Sequence, residues 1–193
     1  MRRIIVSEMV TLDGFFAGPN GETDWHMADE EYERYSLGFL ESVDTLLFGR
    51  VTYQMMADYW PAAAAKGLHT KVHADVARAM NEIQKVVYSS TLKAAPWNNS
   101  LLLKKVVAEE VMGMKLADGK DIAVFGSGQL ASELTRLGLV DEYRFIVNPI
   151  VLGKGRPLFT GLEGALRLEL DSIKDFRSGV VALSYVNTAA GTE

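Results

Sequence analysis

Short, wholly apolar runs recur along this chain and alternate with segments whose apolar residues have helical spacing. Such runs are typical of strands covered on both faces of a parallel sheet, and their alternation with helices indicates βα units. Strands are predicted over 4–10, 45–48, 85–88, 122–125 and 142–147, with weaker strand character over 101–107. Helices are predicted from Asp29, over 51–59 (ending before Pro61), over 72–83 and 109–116, and after Gly128.

The end of the chain has a different pattern, in which apolar and polar residues alternate. Leucines alternate with polar residues over 166–170, and a turn at Ser178 leads into a second apolar run over 180–186. Alternation of period two around a turn predicts an antiparallel hairpin. We therefore expect one α/β domain over 1–193, with a mainly parallel sheet that ends in this hairpin.

Two segments are predicted to lack regular structure. Residues 15–25 contain Gly, Pro and Asn at positions that interrupt any helix or strand, so they are predicted to form a long loop. A loop of this length could close over a bound ligand as a lid. Residues 62–67 are predicted to be a connection made of small residues.

Charge and composition exclude several classes of partner. The 193 residues have a formal net charge of −5 and no block of Lys or Arg, so nothing favours a nucleic acid or a membrane surface. The absence of cysteine excludes disulfides and thiolate chemistry. The first apolar run is broken by Ser7 and Glu8, so it is interpreted as a strand and not as a signal peptide. We expect a cytoplasmic protein that binds a small molecule.

The most informative stretch is an apolar strand followed by a glycine turn and a helix. The segment GSGQLA over 126–131 matches the G-x-G-x-x-G/A pattern, in which free backbone N–H groups bind phosphate. A Rossmann domain would place this turn after its first strand and an acid near the end of the next strand. Here the turn comes late and the acids Asp141 and Glu142 precede the next strand. Phosphate binding is favoured, and a turn that serves only close packing stays the alternative.

A second strand-to-helix turn contains Gly49, Arg50 and Thr52. A guanidinium fork, a hydroxyl and first-turn N–H groups would together suit a pyrophosphate, although each is also ordinary at the start of a helix. Ser89 and Ser90 follow the next predicted strand, where hydroxyls suit either a ribose 2′-phosphate or a local cap. Two such turns in one small sheet favour a shared nucleotide.

Candidate catalytic and pocket residues lie near the predicted loop and the first two helices. Asp24, Asp29 or Glu30 could assist protonation of a substrate, and an acid there would equally stabilise the helix N-terminus. A pocket for a flat ring could be lined by large side chains, for which core packing is the alternative: Trp25, Tyr53, Met55, Met56, Tyr59 and Trp60. His69 and His73 are four residues apart but lack further ligands, so no metal site is predicted.

Taken in order, several segments resemble the dihydrofolate reductase fold. More closely, the chain resembles the C-terminal reductase domain of the bifunctional riboflavin-biosynthesis deaminase–reductases, in a stand-alone bacterial form. The resemblance is carried by TLDGFFA (11–17), LFGRVTY (47–53), VVYSSTL (86–92), VFGSGQL (124–130), LVDE (139–142) and PIVLGKG (149–155).

This resemblance implies a three-layer fold and an NADPH-dependent reductase that acts on a small pyrimidine- or pterin-like heterocycle, as a 5-amino-6-(5-phosphoribosylamino)uracil reductase does. It also implies a homodimer. A non-catalytic module that binds a nucleotide or small ligand on the same fold is the alternative function. Carried over by position, Glu30 approximates the catalytic acid, and the cofactor-binding residues are Phe16, Ala17, Gly49, Arg50, Thr52, Ser89, Ser90, Gly126, Ser127, Gly128, Gln129 and Leu130.

Overall fold

The computed structural model describes residues 1–66 and 70–188. Its strands are β1 (Ile4–Thr11), β2 (Phe15–Ala17), β3 (Val43–Gly49), β4 (Gln84–Tyr88), β5 (Ser100–Leu103), β6 (Asp121–Phe125), β7 (Glu142–Asn148), β8 (Arg156–Pro157), β9 (Glu169–Asp175) and β10 (Val181–Val186). Its helices are α1 (Glu30–Ser42), α2 (Arg50–Lys66), α3 (Lys71–Glu82), α4 (Ala108–Leu116) and α5 (Gly128–Arg136). Among these described helices, none has the length and apolar character needed to cross a bilayer.

The strands form an eight-stranded sheet in the order β5-β4-β3-β6-β1-β7-β10-β9. The six strands from β5 to β7 are parallel, and β10 is antiparallel to both β7 and β9. The predicted α/β fold, with a mainly parallel sheet and a C-terminal antiparallel hairpin, is therefore confirmed.

Helices cover both faces of the sheet, which gives three layers. Ile4 and Val6 of β1 pack into one core together with Leu134 of α5. Ile5, the residue between them, packs into the other core with Leu40 of α1 and residues of α2 and α3. Successive side chains of a strand point to opposite faces, so a strand covered on both sides is apolar throughout. This is why the continuous apolar runs predicted the central strands correctly.

The register of the hairpin differs from the prediction. The strand expected over 166–170 is instead β9, which begins at Glu169. The turn sets this register, because the N–H of Phe176 donates to the carbonyl of Val180 and places Asp175 opposite Val181. Most of the segment with alternating leucines therefore precedes β9, and only its last two residues, 169 and 170, belong to the strand.

Two predicted interruptions of regular structure were wrong. Helix α2 does not end before Pro61 but continues to Lys66, so most of the predicted connection over 62–67 is helical. Proline removes one hydrogen bond, whereas the alanines after it favour a helix strongly. Within the predicted loop over 15–25, β2 pairs with β8. Gly67 and His69, which also carried predictions, lie outside the described residues.

Candidate active site

The two glycine turns predicted from the sequence meet at the carboxyl edge of the sheet. Strands β3 and β6 are parallel neighbours, with Leu47 paired to Val124, so the turns that follow them lie side by side. A Cβ atom on Gly49 would overlap the hydroxyl of Ser127, and one on Gly126 would lie 2.5 Å from Thr52 Oγ1. Glycine at both positions therefore allows the two turns to touch.

The start of α5 lacks a side-chain cap. Ser127 precedes this helix in a left-handed conformation, with φ 70° and ψ 69°, and no side chain caps the helix. Gly128 allows a third segment to approach, because a Cβ there would lie 2.8 Å from the Leu158 carbonyl oxygen and 2.9 Å from Phe16 Cε1. An uncapped helix N-terminus favours phosphate binding, whereas the close approach at Gly128 is made by Phe16 and Leu158 of the chain itself.

The remaining predicted cofactor residues lie around these turns in different environments. Arg50 is exposed, and its Nη1 donates to Gln54 Oε1 at 3.0 Å. Gln129 is exposed, whereas Leu130 is 5% exposed and packs in the core, so only its backbone could contact a ligand.

Ser89 and Ser90 follow β4 and differ from each other. Ser89 is buried, and its hydroxyl oxygen accepts hydrogen bonds from the N–H groups of Thr91 and Leu92, at 3.2 and 3.0 Å. Of the two roles considered for Ser89, a phosphate contact and a local cap, its side chain has that of the local cap. Ser90 is exposed, so of the two serines it is the one whose side chain faces solvent.

A pocket of about 350 Å³ lies beside the glycine turns. Its volume is in the range of small-molecule sites, about 300–1,000 Å³. Four of the predicted cofactor residues line it: Phe16, Ala17, Thr52 and Gly126. The large side chains Met55, Met56, Tyr59 and Trp60 line it as well. Tyr53, by contrast, is 2% exposed and belongs to the core. For this residue core packing, the alternative to a pocket, is therefore correct.

Two polar side chains of the pocket contain a buried atom without a hydrogen-bond partner. These atoms are Oε1 of Glu8, on β1, and Nε2 of His26, in the segment before α1. Burial raises the pKa of the Glu8 carboxyl well above its usual value, and burial lowers the pKa of His26 to about 4. Burial therefore favours the uncharged form of both groups, and unsatisfied buried polar atoms of this kind are typical of sites that receive a ligand.

Three helices contribute a hydrogen-bonded chain at the pocket wall. The hydroxyl of Tyr59 lies 3.1 Å from Nε2 of His73, and Nδ1 of His73 lies 2.5 Å from Oε1 of Glu33. His73 is 9% exposed and its ring stacks on that of Trp60, with 5.7 Å between the ring centroids. Tyr59 is 46% exposed, so these hydrogen bonds connect a half-buried carboxylate and a buried imidazole to a tyrosine that solvent reaches.

The acids proposed near the start of α1 have other surroundings. Asp29 is the N-cap of α1 and accepts a hydrogen bond from the N–H of Tyr32 at 2.8 Å. Glu30 is exposed, forms an ion pair with Arg34 and is not among the described residues that line the pocket. The role of Glu30 as the catalytic acid stays a prediction, while Glu33 on the same helix lines the pocket.

No group of three or more His, Cys, Asp or Glu side chains arranged to hold a metal ion occurs within 1–66 and 70–188. His73 is hydrogen-bonded to Tyr59 and Glu33. His69, which lies four residues before it in the sequence, falls outside those ranges.

Comparison with solved structures defines the class of fold. The chain aligns with a deaminase/5-amino-6-(5-phosphoribosylamino)uracil reductase of Thermotoga maritima at a TM-score of 0.66 and 15% identity, covering 96% of this chain and 56% of that one. It aligns with a dihydrofolate reductase of Enterococcus faecalis, in complex with NADP(H), at a TM-score of 0.62 and 13% identity, covering 96% of both chains. The fold is that of the dihydrofolate reductase-like proteins.

Sequence comparison defines the family within this class. The model of the RibD C-terminal domain matches residues 2–182. The uncharacterized protein YyaP of Bacillus subtilis is 35% identical over 184 residues, which cover 95% of this chain and 94% of YyaP. The chain belongs to the RibD C-terminal domain family, as the resemblance of its motifs predicted.

The buried Glu8 carboxyl leads to a prediction about stability. Its pKa is raised in the folded chain above the value of 4.5 that applies in the unfolded chain. As pH rises above 4.5, the carboxyl therefore loses its proton in the unfolded chain before it does so in the folded chain. Stability contributed by this group is therefore lost as pH rises above the unfolded value. Glu8→Gln cannot ionise, and we expect it to be more stable than the wild type at about pH 8, by about 1–3 kcal/mol, with the difference shrinking toward about pH 4.

Urea unfolding of both chains at the two pH values measures this effect. Glu163→Gln, at an exposed position, is the matched control, and its free energy of unfolding should equal that of the wild type at both pH values. A Glu8→Gln chain that is no more stable than the wild type at the higher pH would show that the carboxyl is not confined in its protonated form.

Proposed function

We propose that this protein is an NADPH-dependent reductase that transfers a hydride to a small heterocycle of pyrimidine or pterin type. The observation that carries the proposal is the contact of two glycine turns beside a pocket of about 350 Å³ at the carboxyl edge of the parallel sheet. Open α/β sheets bind their ligands at this edge. Membership of the RibD C-terminal domain family, and the NADP(H) complex of the dihydrofolate reductase with the same fold, support the proposal.

The residues at the turns fit a dinucleotide phosphate. The uncapped first turn of α5 would receive the pyrophosphate, and the exposed Arg50 guanidinium would contact the 2′-phosphate. Phe16 and Ala17, in β2, would border the nicotinamide because they line the pocket that adjoins Gly126. NADPH would supply the hydride, and the chain would supply orientation and exclusion of water.

A hydride added to the carbon of a C=N or C=O bond leaves a heteroatom that takes up a proton. We propose Tyr59 as the donor, because its hydroxyl is at the pocket wall and bonds to the His73 ring. Donation from His73 Nε2–H to the phenol oxygen would leave the phenol proton free for the ligand. His73 and Glu33 are then positioning residues that orient the hydroxyl and return its proton.

Homodimerisation and a cytoplasmic location stay predictions. Support for the dimer comes from β9, the strand at the edge of the sheet, whose residues are all exposed. Leu170 and Ile173 of this strand are 52% and 61% exposed. Long exposed edge strands with apolar residues are prone to pair with another chain, so we propose that a second copy covers this edge.

Binding of NADPH tests the proposed function directly. Trp60 lines the pocket, so energy transfer from tryptophan to bound NADPH should give a saturable signal. A protein that binds NADPH and oxidises it with none of a panel of pyrimidines and pterins would be the non-catalytic module. Absence of NADPH binding would contradict the reductase and would leave only a module that binds some other small ligand.

Arg50→Ala should weaken NADPH binding by about 10- to 100-fold, because a hydrogen bond to a charged group contributes about 1.5–3 kcal/mol. NADH lacks the 2′-phosphate, so its affinity should change by less than about threefold. Isothermal titration with both cofactors measures the two affinities. Arg136→Ala serves as the control. It removes the same charge from the last turn of α5, at the end of that helix away from the glycine turn. Equal losses for NADPH and NADH would contradict the contact with the 2′-phosphate.

A further inference from the structure

We propose that the pocket beside the glycine turns selects an uncharged, mainly apolar ring compound and rejects one that carries a phosphate. This inference rests on the proposed function, since it names the class of substrate for the same pocket. It is carried by the side chains that line the pocket, which are mostly apolar and include a single guanidinium among the described residues.

Most of the pocket wall is apolar and adaptable. Four methionine side chains contribute to it: Met9, Met55, Met56 and Met80. Methionine packs against flat or irregular apolar groups because its side chain is unbranched and polarizable. The rings of Trp60 and Phe125 add flat surface. A ring compound with little polar surface would therefore gain the most free energy by entering this pocket.

The charged groups of the wall do not suit an anion. Of the described lining residues, Arg156 is the sole lysine or arginine, whereas Glu33 is an acid. The Arg156 guanidinium donates to the Pro19 carbonyl at 3.3 Å and interacts electrostatically with Glu22. A phosphate monoester carries a charge of about −1.5 to −2 near neutral pH. Its burial against the mainly apolar wall would cost several kcal/mol, because a buried charge needs paired partners and the one guanidinium, Arg156, lies at an exposed position.

The two unsatisfied atoms of the pocket favour a neutral polar group on the ligand. Oε1 of Glu8 and Nε2 of His26 are buried without a hydrogen-bond partner. Burial favours the uncharged form of both side chains, because it raises the pKa of Glu8 and lowers that of His26. Neutral groups bind an uncharged carbonyl, imine or ring nitrogen without the cost of burying a charge. The polar contacts therefore select for ring heteroatoms, while the apolar wall selects for the ring.

A matched pair of fluorescent probes tests this preference. N-phenyl-1-naphthylamine is uncharged, and 8-anilinonaphthalene-1-sulfonate has the same ring system with one sulfonate added. Titrations of the full chain with each probe, in saturating NADP⁺, should give a dissociation constant for the uncharged probe at least about 10-fold below that of the sulfonate. Equal affinities, or tighter binding of the sulfonate, would overturn the proposal.

A variant then assigns the binding to this pocket. Met55 lines the pocket and is 43% exposed, so Met55→Lys places a cation there without disturbing a buried position. It should weaken the uncharged probe and strengthen the sulfonate, and so reduce the preference by about 10-fold. Met112→Lys, at a methionine of α4 that is 36% exposed and outside the pocket, should leave the preference unchanged. Equal effects of both variants would overturn the assignment to this pocket.

The NADPH titration keeps this inference separate from the proposed function. If NADPH binds and the sulfonate is preferred, the inference about the substrate fails while the proposed reductase stands. If the uncharged probe is preferred and Met55→Lys reduces that preference, but NADPH does not bind, the ligand class is supported and the reductase is contradicted.

Discussion

Gly126→Ala is expected to weaken NADPH binding by about 100-fold or more, because it forces the two glycine turns apart. The new Cβ would lie 2.5 Å from Thr52 Oγ1 and 2.6 Å from Thr52 Cγ2. Thr52 is 7% exposed and β-branched, so its side chain has little freedom to move away. The β6–α5 turn must shift instead, so the first turn of α5 can then no longer hold the pyrophosphate while Arg50, at the start of α2, contacts the 2′-phosphate.

Backbone strain needs its own control, because Gly126 has a φ of +56° that alanine adopts at a cost of about 1–2 kcal/mol. Gly138 has a φ of +68° and would place a Cβ in open space. Gly138→Ala should therefore show the strain in urea unfolding and retain its NADPH affinity in calorimetry. Similar losses of affinity in both variants would contradict a role for the contact between the turns.

The sequence predicted the glycine turns well because each turn is a local feature. An apolar strand, a glycine and a helix start are adjacent in the chain, and neighbouring parallel strands place such turns at one edge of a sheet. That Gly126 would meet Thr52, and Gly49 the side chain of Ser127, could not be predicted, since it depends on the register between β3 and β6. Sequence order alone does not determine that register.

The chain of Glu33, His73 and Tyr59 was missed because its members come from three helices. The spacing of His73 suggested a comparison with His69, whereas its hydrogen-bond partners are 14 and 40 residues away. Tyr59 was recognised only as a large ring near a pocket. Contacts of this kind depend on how α1, α2 and α3 pack, and helical periodicity alone does not indicate which polar groups will meet.

Glu8 left a signal in the sequence that was interpreted only in part. A carboxylate inside an otherwise apolar strand argued against a signal peptide, but it also predicts a buried acid, because strands of this type are covered on both faces. In the structure Glu8 is 4% exposed. A charged residue that interrupts a buried strand is therefore a useful indicator of a site, because such residues are seldom retained for packing alone.

Tyr59→Phe is expected to lower kcat by about 10²- to 10⁴-fold, which is the usual contribution of a positioned general acid. The variant keeps the ring that lines the pocket and removes only the hydroxyl that bonds to His73. Affinities for NADPH and for N-phenyl-1-naphthylamine should therefore stay within about threefold of the wild type, since the loss is confined to the transition state. The rate is measured as NADPH oxidation with any heterocycle that supports turnover.

The positioning residues give a graded series that a purely structural role would not produce. His73→Gln and Glu33→Gln leave the Tyr59 hydroxyl in place but remove its orientation, so their kcat should lie between those of the wild type and Tyr59→Phe. Tyr185→Phe, a change on β10 outside the pocket, should retain full activity. If Tyr59→Phe keeps the wild-type kcat, Tyr59 is not the proton donor. If it instead loses NADPH affinity and urea stability together with activity, the chain of three residues serves to hold the helices in place.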